Sequence, residues 1–410
     1  MKSGPLNIAV LGYGGRAQTL TRYALEHPDE IVVRVVAEHN EKRRAVAAER
    51  FGNGIRIFSS GEEFYDSGIE VDGVWVVSKE KTHAALAIPA LERGLPLICE
   101  KPLSTSLEDA YRICEAYEAN PVPFVIPHSL RYLPKYRKIK ECVDSGLLGR
   151  IMHIHAVEAI DDKHTVGYYR RGPGRLRADT TILLAKNSHD LDIINWMMGG
   201  VKAKSVACFG GLDYFRPRPE VPKRCTKECA ELATCPYGPC GSQLESGAAA
   251  KIDESTEAVF DAKLCAWNSG GDQVDHQTII MEFENGTTVD FTLKCFGGGG
   301  RPIQITGTHG SVFGLENVIL TTYRPASTHT FADSEMPPII QGPHGGGDWA
   351  LIHDWYESVI SGRKPASANV HESAEAVAVC LAADIAMLEH RVVMLDEVRE
   401  KARRNIGARK

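Results

Sequence analysis

The sequence predicts an α/β protein, with a doubly wound parallel sheet in its first third and an α+β domain of antiparallel strands after it. Three observations carry this reading. Short apolar runs alternate with helical patterns from residue 6 to residue 127, the rhythm of strand–helix–strand units. A glycine-rich turn, Gly12-Tyr13-Gly14-Gly15-Arg16-Ala17, closes the first of those runs. Beyond residue 128 the rhythm gives way to strand-like segments, two of which flank Glu284-Asn285-Gly286, and Asn-Gly is the strongest short hairpin signal. A chain of 410 residues accommodates two domains of ordinary size, expected at 1–128 and 129–410.

The elements follow in order. Residues 6–11 are largely apolar and run into glycine, as buried parallel strands do. One helix is expected over 18–26, a second strand over 31–37 closed by Glu38, and an alanine-rich helix over 41–50. A third strand covers 73–78, a helix stopped by Gly94 covers 82–93, and a fourth strand covers 95–99. The helix over 106–119 carries Glu108 and Asp109 in its first turn, where the dipole favours acids; residues 124–127 close the series. An amphipathic helix over 132–145 then leads into strands at 150–159, 204–209, 277–283, 287–294 and 302–307. Residues 189–198 form a helix with Ser188 as N-cap and Gly199 as stop. The segment at about 217–247, rich in Pro, Cys and Gly, reads as an insertion. Closing helices are expected at 348–361, with Leu351, Ile352, Trp355, Tyr356, Val359 and Ile360 at helical spacing, and at 372–389.

Composition excludes several classes of function. Fifty-three acidic against 47 basic residues give a net charge of −6, which argues against a nucleic-acid partner. No apolar run reaches the roughly 18 residues of a membrane span, and the apolar start is too short for a signal peptide. A cytoplasmic location is expected. Eleven cysteines in such a chain do not read as a disulfide framework. Four of them, Cys225, Cys229, Cys235 and Cys240, crowd together. Thiol-rich clusters suit structural zinc or an iron–sulfur cluster, although no C-x2-C knuckle is present; free thiols in a loop are the alternative.

The glycine turn fits G-x-G-x-x-A between a strand and a helix. Gly12 permits the tight turn, Gly14 admits a pyrophosphate to the backbone, and Ala17 lets the helix pack on the strand. This context predicts a Rossmann dinucleotide site, with Tyr13, Gly15 and Arg16 along the turn. Glu38, ending the second strand, suits a ribose diol and repels a 2′-phosphate, so NAD is expected over NADP; Arg43 and Arg44 soften that preference. Cys99-Glu100-Lys101-Pro102 lies at the C-terminal end of a parallel strand, where doubly wound folds bind ligands, and a lysine there can serve in proton transfer. His189, in the first turn of its helix, feels the positive dipole end. That disfavours the imidazolium and suits a general base.

Taken together, Gly12 to Arg16, Glu100-Lys101-Pro102, Leu147-Leu148-Gly149-Arg150-Ile151, and His189-Asp190-Leu191-Asp192 with Trp196 and Gly199 resemble the Gfo/Idh/MocA family over the whole chain. The resemblance implies a Rossmann domain before an α/β domain with a large, mostly antiparallel open sheet that builds homodimers or homotetramers. It implies NAD(P)-dependent chemistry on a carbohydrate substrate, a sugar, polyol or glycoside, with Lys101 catalytic and His189 the acid/base. Ser78 and His83, after the third strand, are then placed along the cofactor cleft with Glu100. His128 and Arg131 at the domain junction, and His344 in His344-Gly345-Gly346-Gly347-Asp348, are candidate substrate contacts. One departure stands out: the aspartate many relatives carry four residues before the histidine is Ala185 here, followed by Lys186, which becomes a further candidate contact. A redox-cycling glycosidase and a non-catalytic dinucleotide-binding regulator are the alternative readings.

Overall fold

The computed structural model describes residues 4–226, 228–238, 264–315, 318–323, 331–335, 337–338, 340–366 and 370–408. Its first sheet contains β1 (Leu6–Leu11), β2 (Ile31–Ala37), β3 (Arg56–Phe58), β4 (Gly73–Val76), β5 (Leu97–Cys99) and β6 (Phe124–Val125). The order is β3-β2-β1-β4-β5-β6 with every pairing parallel. Strand order reverses at β1, which has β2 on one side and β4 on the other, and opens a crevice at the C-terminal ends of the strands. The glycine turn follows β1 directly into that crevice. The helix expected over 18–26 is split into Gly15–Leu20 and Arg22–Glu26. Thr21 between them donates its hydroxyl to the Ala17 carbonyl at 2.8 Å, and such back-bonding bends helices.

The second sheet contains β7 (Ile151–Ala159), β8 (Ala203–Gly211), β9 (His276–Phe283), β10 (Thr288–Lys294), β11 (Ile303–Gly307), β12 (Gly310–Gly314), β13 (Ile319–Tyr323), β14 (Phe331–Glu335) and β15 (Val393–Met394). Its order is β14-β13-β12-β11-β7-β10-β9-β8-β15. All pairings are antiparallel except β7 with β10, so the sheet is mixed. The β9–β10 hairpin turns at Asn285-Gly286, where Gly286 has φ +82°. The sequence reading missed β12 to β15: β12 is bounded by Gly310 and Gly314, which are poor strand formers, and β15 is only two residues long. One face of the sheet presents Ile154, Ile279, Met281, Val289, Phe291 and Leu293 to a core shared with helices Ser188–Met197 and Val370–Glu389. The other face is open, leaving Phe209 65%, Ile280 50% and Leu320 42% exposed.

Past the boundary expected at 128, the chain returns to the first sheet. Helix Gly347–Ser361 lays Leu351, Ile352 and Trp355 into one core with Leu6, Ile8, Val10 and Trp75. The Trp355 and Trp75 rings meet edge-on at 6.0 Å. A side chain on Gly73 would come within 2.7 Å of the Trp355 ring, so the strand is cut away to receive the indole. Trp355→Ala is expected to cost about 3–5 kcal/mol, read as a lowered denaturation midpoint with unchanged slope.

Candidate active site

The turn after β1 has the shape a dinucleotide requires. Gly12 has φ +91°, and a Cβ there would lie 2.6 Å from the Val77 carbonyl oxygen, so no other residue fits. By contrast, a Cβ on Gly15 would meet nothing within 4 Å, and one on Gly14 only an Arg43 nitrogen at 3.9 Å; the turn faces open space. Glu38, almost fully buried, accepts the Tyr13 N–H at 2.6 Å and the Asn40 N–H at 2.9 Å. Its carboxylate is thereby fixed against the turn where a ribose would lie, and these residues fit NAD.

Arg16 does something the motif alone does not show. Its Nε donates to Glu100 Oε1 at 2.5 Å, and its two terminal nitrogens donate to Asp348 at 2.6 and 2.9 Å. The guanidinium thus links the cofactor turn, the end of β5 and the start of helix Gly347–Ser361. His83 is fully buried, with ring nitrogens 2.9 Å from the Pro102 carbonyl and 3.3 Å from that of Ser78. It braces the two loops from beneath instead of lining the cleft surface. Ser78 and Thr82 share a hydrogen bond at 2.7 Å.

Lys101 precedes a cis peptide bond to Pro102. Burial lowers its pKa to about 8, with Glu100 and Glu80 pulling the other way. Its Nζ donates to the Ala185 carbonyl at 2.5 Å. Ala185 lies in a π-helical turn, Leu183–Asn187, which runs into helix Ser188–Met197; π-turns of this kind recur at functional sites. The helix therefore begins one residue earlier than expected. Asn187, not Ser188, holds the cap position, and the Ser188 hydroxyl has no hydrogen-bond partner among the described residues.

His189 is buried, and among the described residues its Nδ1 likewise has no hydrogen-bond partner. Burial holds it well below the usual histidine range, and Lys101 and His128 add to the effect, so the ring is neutral at pH 7. Its neighbours are the His128 ring, perpendicular at 5.7 Å, and the His344 ring at 6.3 Å. Burial lowers His128 to about 4. His344 sits at φ +50°, ψ +45° between Gly342 and Gly346, a backbone region that non-glycine residues hold at a cost of about 1–3 kcal/mol. Its Nδ1 is tied to Asp348 at 2.9 Å.

The structure gives Arg131 a supporting place. It makes a bidentate pair with Asp192 (2.6 and 2.6 Å), lies 2.6 Å from Glu372, and stacks over Trp196. Its donors are committed to Asp192 on the His189 helix and to Glu372 on helix Val370–Glu389. Two site residues escaped the sequence reading. Glu158 on β7 is buried and ion-paired to Arg301 Nε, which is 3.6 Å from Asp190; Lys186 Nζ lies 3.6 Å from the other Glu158 oxygen. Burial pushes Asp190 up to about 7. Glu158 shares the inward parity of Ile154 and Ala156, and a carboxylate on the core face of a strand was the available signal. Arg301, after four consecutive glycines, carried none.

The cysteine expectation fares differently. Cys225, Cys229 and Cys235 line one small hollow with Cys265 and Trp267; Cys240 lies outside the described residues. Among the described residues no group of three or more His, Cys, Asp or Glu side chains is placed to hold a metal ion, so zinc or an iron–sulfur cluster finds no support there. Burial raises the Cys225 thiol above its usual value, which keeps it protonated.

Residues 6–128 match the oxidoreductase family's NAD-binding Rossmann fold, Gfo/Idh/MocA, and residues 140–395 match its C-terminal alpha/beta domain. The chain belongs to the Gfo/Idh/MocA oxidoreductase family. It is therefore an NAD-binding oxidoreductase. It is similar to the Bacillus subtilis protein YteT, 25% identical over 342 residues, 77% of this chain and 79% of that one. An inositol 2-dehydrogenase from Saccharopolyspora erythraea is 31% identical over 195 residues, 47% of this chain and 54% of that one, so the match spans about half of that relative. Among solved structures, levoglucosan dehydrogenase in complex with NADH superposes with a TM-score of 0.70 at 17% identity, over 95% of this chain and 99% of that one, which shows the shared fold.

The buried histidines give the site a pH signature. Unfolded His128 binds a proton near its ordinary value of 6.5, whereas folded His128 does so only near 4. The unfolded state therefore holds more protons between those values, and stability is lost as pH falls from 6.5 toward 4. Asp190, raised to about 7, contributes with the opposite sign. His128→Asn removes only the first effect. Denaturation midpoints are expected to fall less steeply with acid in His128→Asn than in the wild type, the difference approaching about 3 kcal/mol.

Proposed function

We propose that the protein is an NAD-dependent dehydrogenase acting on a hydroxyl-bearing carbon of a sugar, polyol or glycoside. The observation that carries this reading is the meeting of Lys101, at the mouth of the cofactor crevice, with the π-turn that delivers His189. Bound NAD supplies hydride acceptance, the difficult chemistry. Neutral His189 accepts the hydroxyl proton as the carbon gives up its hydride. Lys101, with one N–H already fixed on the Ala185 carbonyl, directs its remaining donors to the same substrate oxygen and steadies the charge that develops there. His128, buried, and His344, half-exposed, flank the acceptor. The inositol dehydrogenase and levoglucosan dehydrogenase names among its relatives support the carbohydrate class.

NAD is favoured over NADP because the Glu38 carboxylate is held by two backbone N–H groups and cannot swing away from a 2′-phosphate. The open face of the nine-stranded sheet, with Phe209, Ile280 and Leu320 exposed, is the surface on which a second copy would sit, giving a homodimer or homotetramer. No described helix is long and apolar enough to cross a membrane, and the described cysteines are unpaired, which fits a reducing compartment such as the cytoplasm.

NADH formation across a panel of sugars, polyols and aryl glycosides tests the reading. One sugar class is expected to reduce NAD. His189→Asn is expected to lower kcat by about 10²–10⁴-fold while NADH binding, followed by fluorescence, stays within about twofold. Release of aglycone that requires NAD yet leaves no NADH would replace this reading with a redox-cycling glycosidase.

A further inference from the structure

The cations around the site differ in how they are held. Arg16 gives its donors to Glu100 and Asp348, Arg131 to Asp192, and Arg301 is ion-paired with Glu158. Lys101 already donates to a carbonyl. Lys186 is the exception. Its ammonium makes no hydrogen bond among the described residues, and its nearest carboxylate oxygen, on Glu158, is 3.6 Å away. The other oxygen of that carboxylate is occupied by Arg301. The Lys186 side chain keeps 23% of its surface exposed, so it is not sealed in the core. It follows Ala185, whose carbonyl accepts from Lys101 at 2.5 Å, and through Glu158 and Arg301 it belongs to one charged cluster with Asp190, the neighbour of His189 in sequence. His164 is held neutral by burial, and Asp190, the other acid nearby, lies 3.6 Å from Arg301. An ammonium in such surroundings is under-compensated, and an ionised hydrogen-bond partner is the most favourable group to complete it.

We infer that the substrate carries a carboxylate, a sugar acid in place of a neutral sugar, and that Lys186 is the residue that binds that carboxylate. This rests on the dehydrogenase reading above and narrows its substrate class. Lys186 occupies the position after Ala185, so the short alanine that leaves its carbonyl to Lys101 is followed by the side chain that selects the substrate. Oxidised nicotinamide is itself positive, and the same charge balance that disfavours a cationic substrate favours an anionic one.

The test is equilibrium binding to the protein saturated with NADH, by calorimetry, so that no turnover is needed. Matched pairs are used: D-glucose with D-glucuronate, D-galactose with D-galacturonate, and sorbitol with D-gluconate. At least one acid is expected to bind roughly 10- to 100-fold more tightly than its neutral partner, the effect of one charge-assisted contact. That preference is expected to collapse in Lys186→Ala and to reverse in Lys186→Glu, with NADH affinity unchanged. Lys186→Gln serves where the other variants do not fold. Neutral partners binding as well as the acids, no acid binding at all, or a preference that survives loss of Lys186 would overturn the inference. Hydride transfer is measured separately on the same pairs. Its absence with an acid that binds through Lys186 would defeat the dehydrogenase reading and leave the charge preference standing.

Discussion

A single guanidinium, Arg16, joins what would otherwise be separate parts of the site. Two carboxylates 248 positions apart, Glu100 and Asp348, converge on it from different segments of the chain. Burial alone would push Asp348 up, yet its contacts with Arg16 and His344 hold it below the usual carboxylate range. Removing one member of so enclosed a group leaves an uncompensated charge, at a cost of about 3–5 kcal/mol. Because Glu100 immediately precedes Lys101 and Asp348 holds His344, the same clasp ties Lys101, the proposed catalytic lysine, and His344 to the cofactor turn.

Around that clasp several buried polar atoms lack protein hydrogen-bond partners among the described residues. Among the described residues, His189 Nδ1 and the Ser188 hydroxyl are buried without hydrogen-bond partners, and the buried His128 ring has only a 3.7 Å approach of its Nε2 to Asp192. Buried polar atoms without partners are costly, and native proteins keep them where a ligand completes them. Burial sets the protonation states: it keeps the histidines neutral and brings Lys101 down to about 8, close to the pH at which a proton can pass either way.

Much of this was legible in the sequence. The parallel sheet followed from apolar runs separated by helical patterns, and Gly12 stood out through the G-x-G-x-x-A pattern after a strand, a position where the structure has φ +91° against the Val77 carbonyl. Lys101 and His189 stood out through motif context. What escaped was of two kinds. Strands such as β3 and β15, three and two residues long, are too short for periodicity and exist because a neighbouring strand offers them a ladder. Long-range partners also escaped. Nothing local in Arg301 or Glu372 shows that one reaches Glu158 and the other Arg131, and the return of helix Gly347–Ser361 to the first sheet is a tertiary choice that an amphipathic pattern does not specify. Arg131 read as a substrate contact because it lies at the domain junction, yet its geometry spends it on Asp192.

The central claim is that Arg16 and Asp348 act as one unit in assembling the site. A double-mutant cycle on Arg16→Met and Asp348→Asn, read by single-turnover hydride transfer at saturating NAD, tests it most directly. Strong non-additivity is expected, the double variant losing little more than either single variant. Losses that simply multiply, with each single variant retaining its own independent effect, would contradict it.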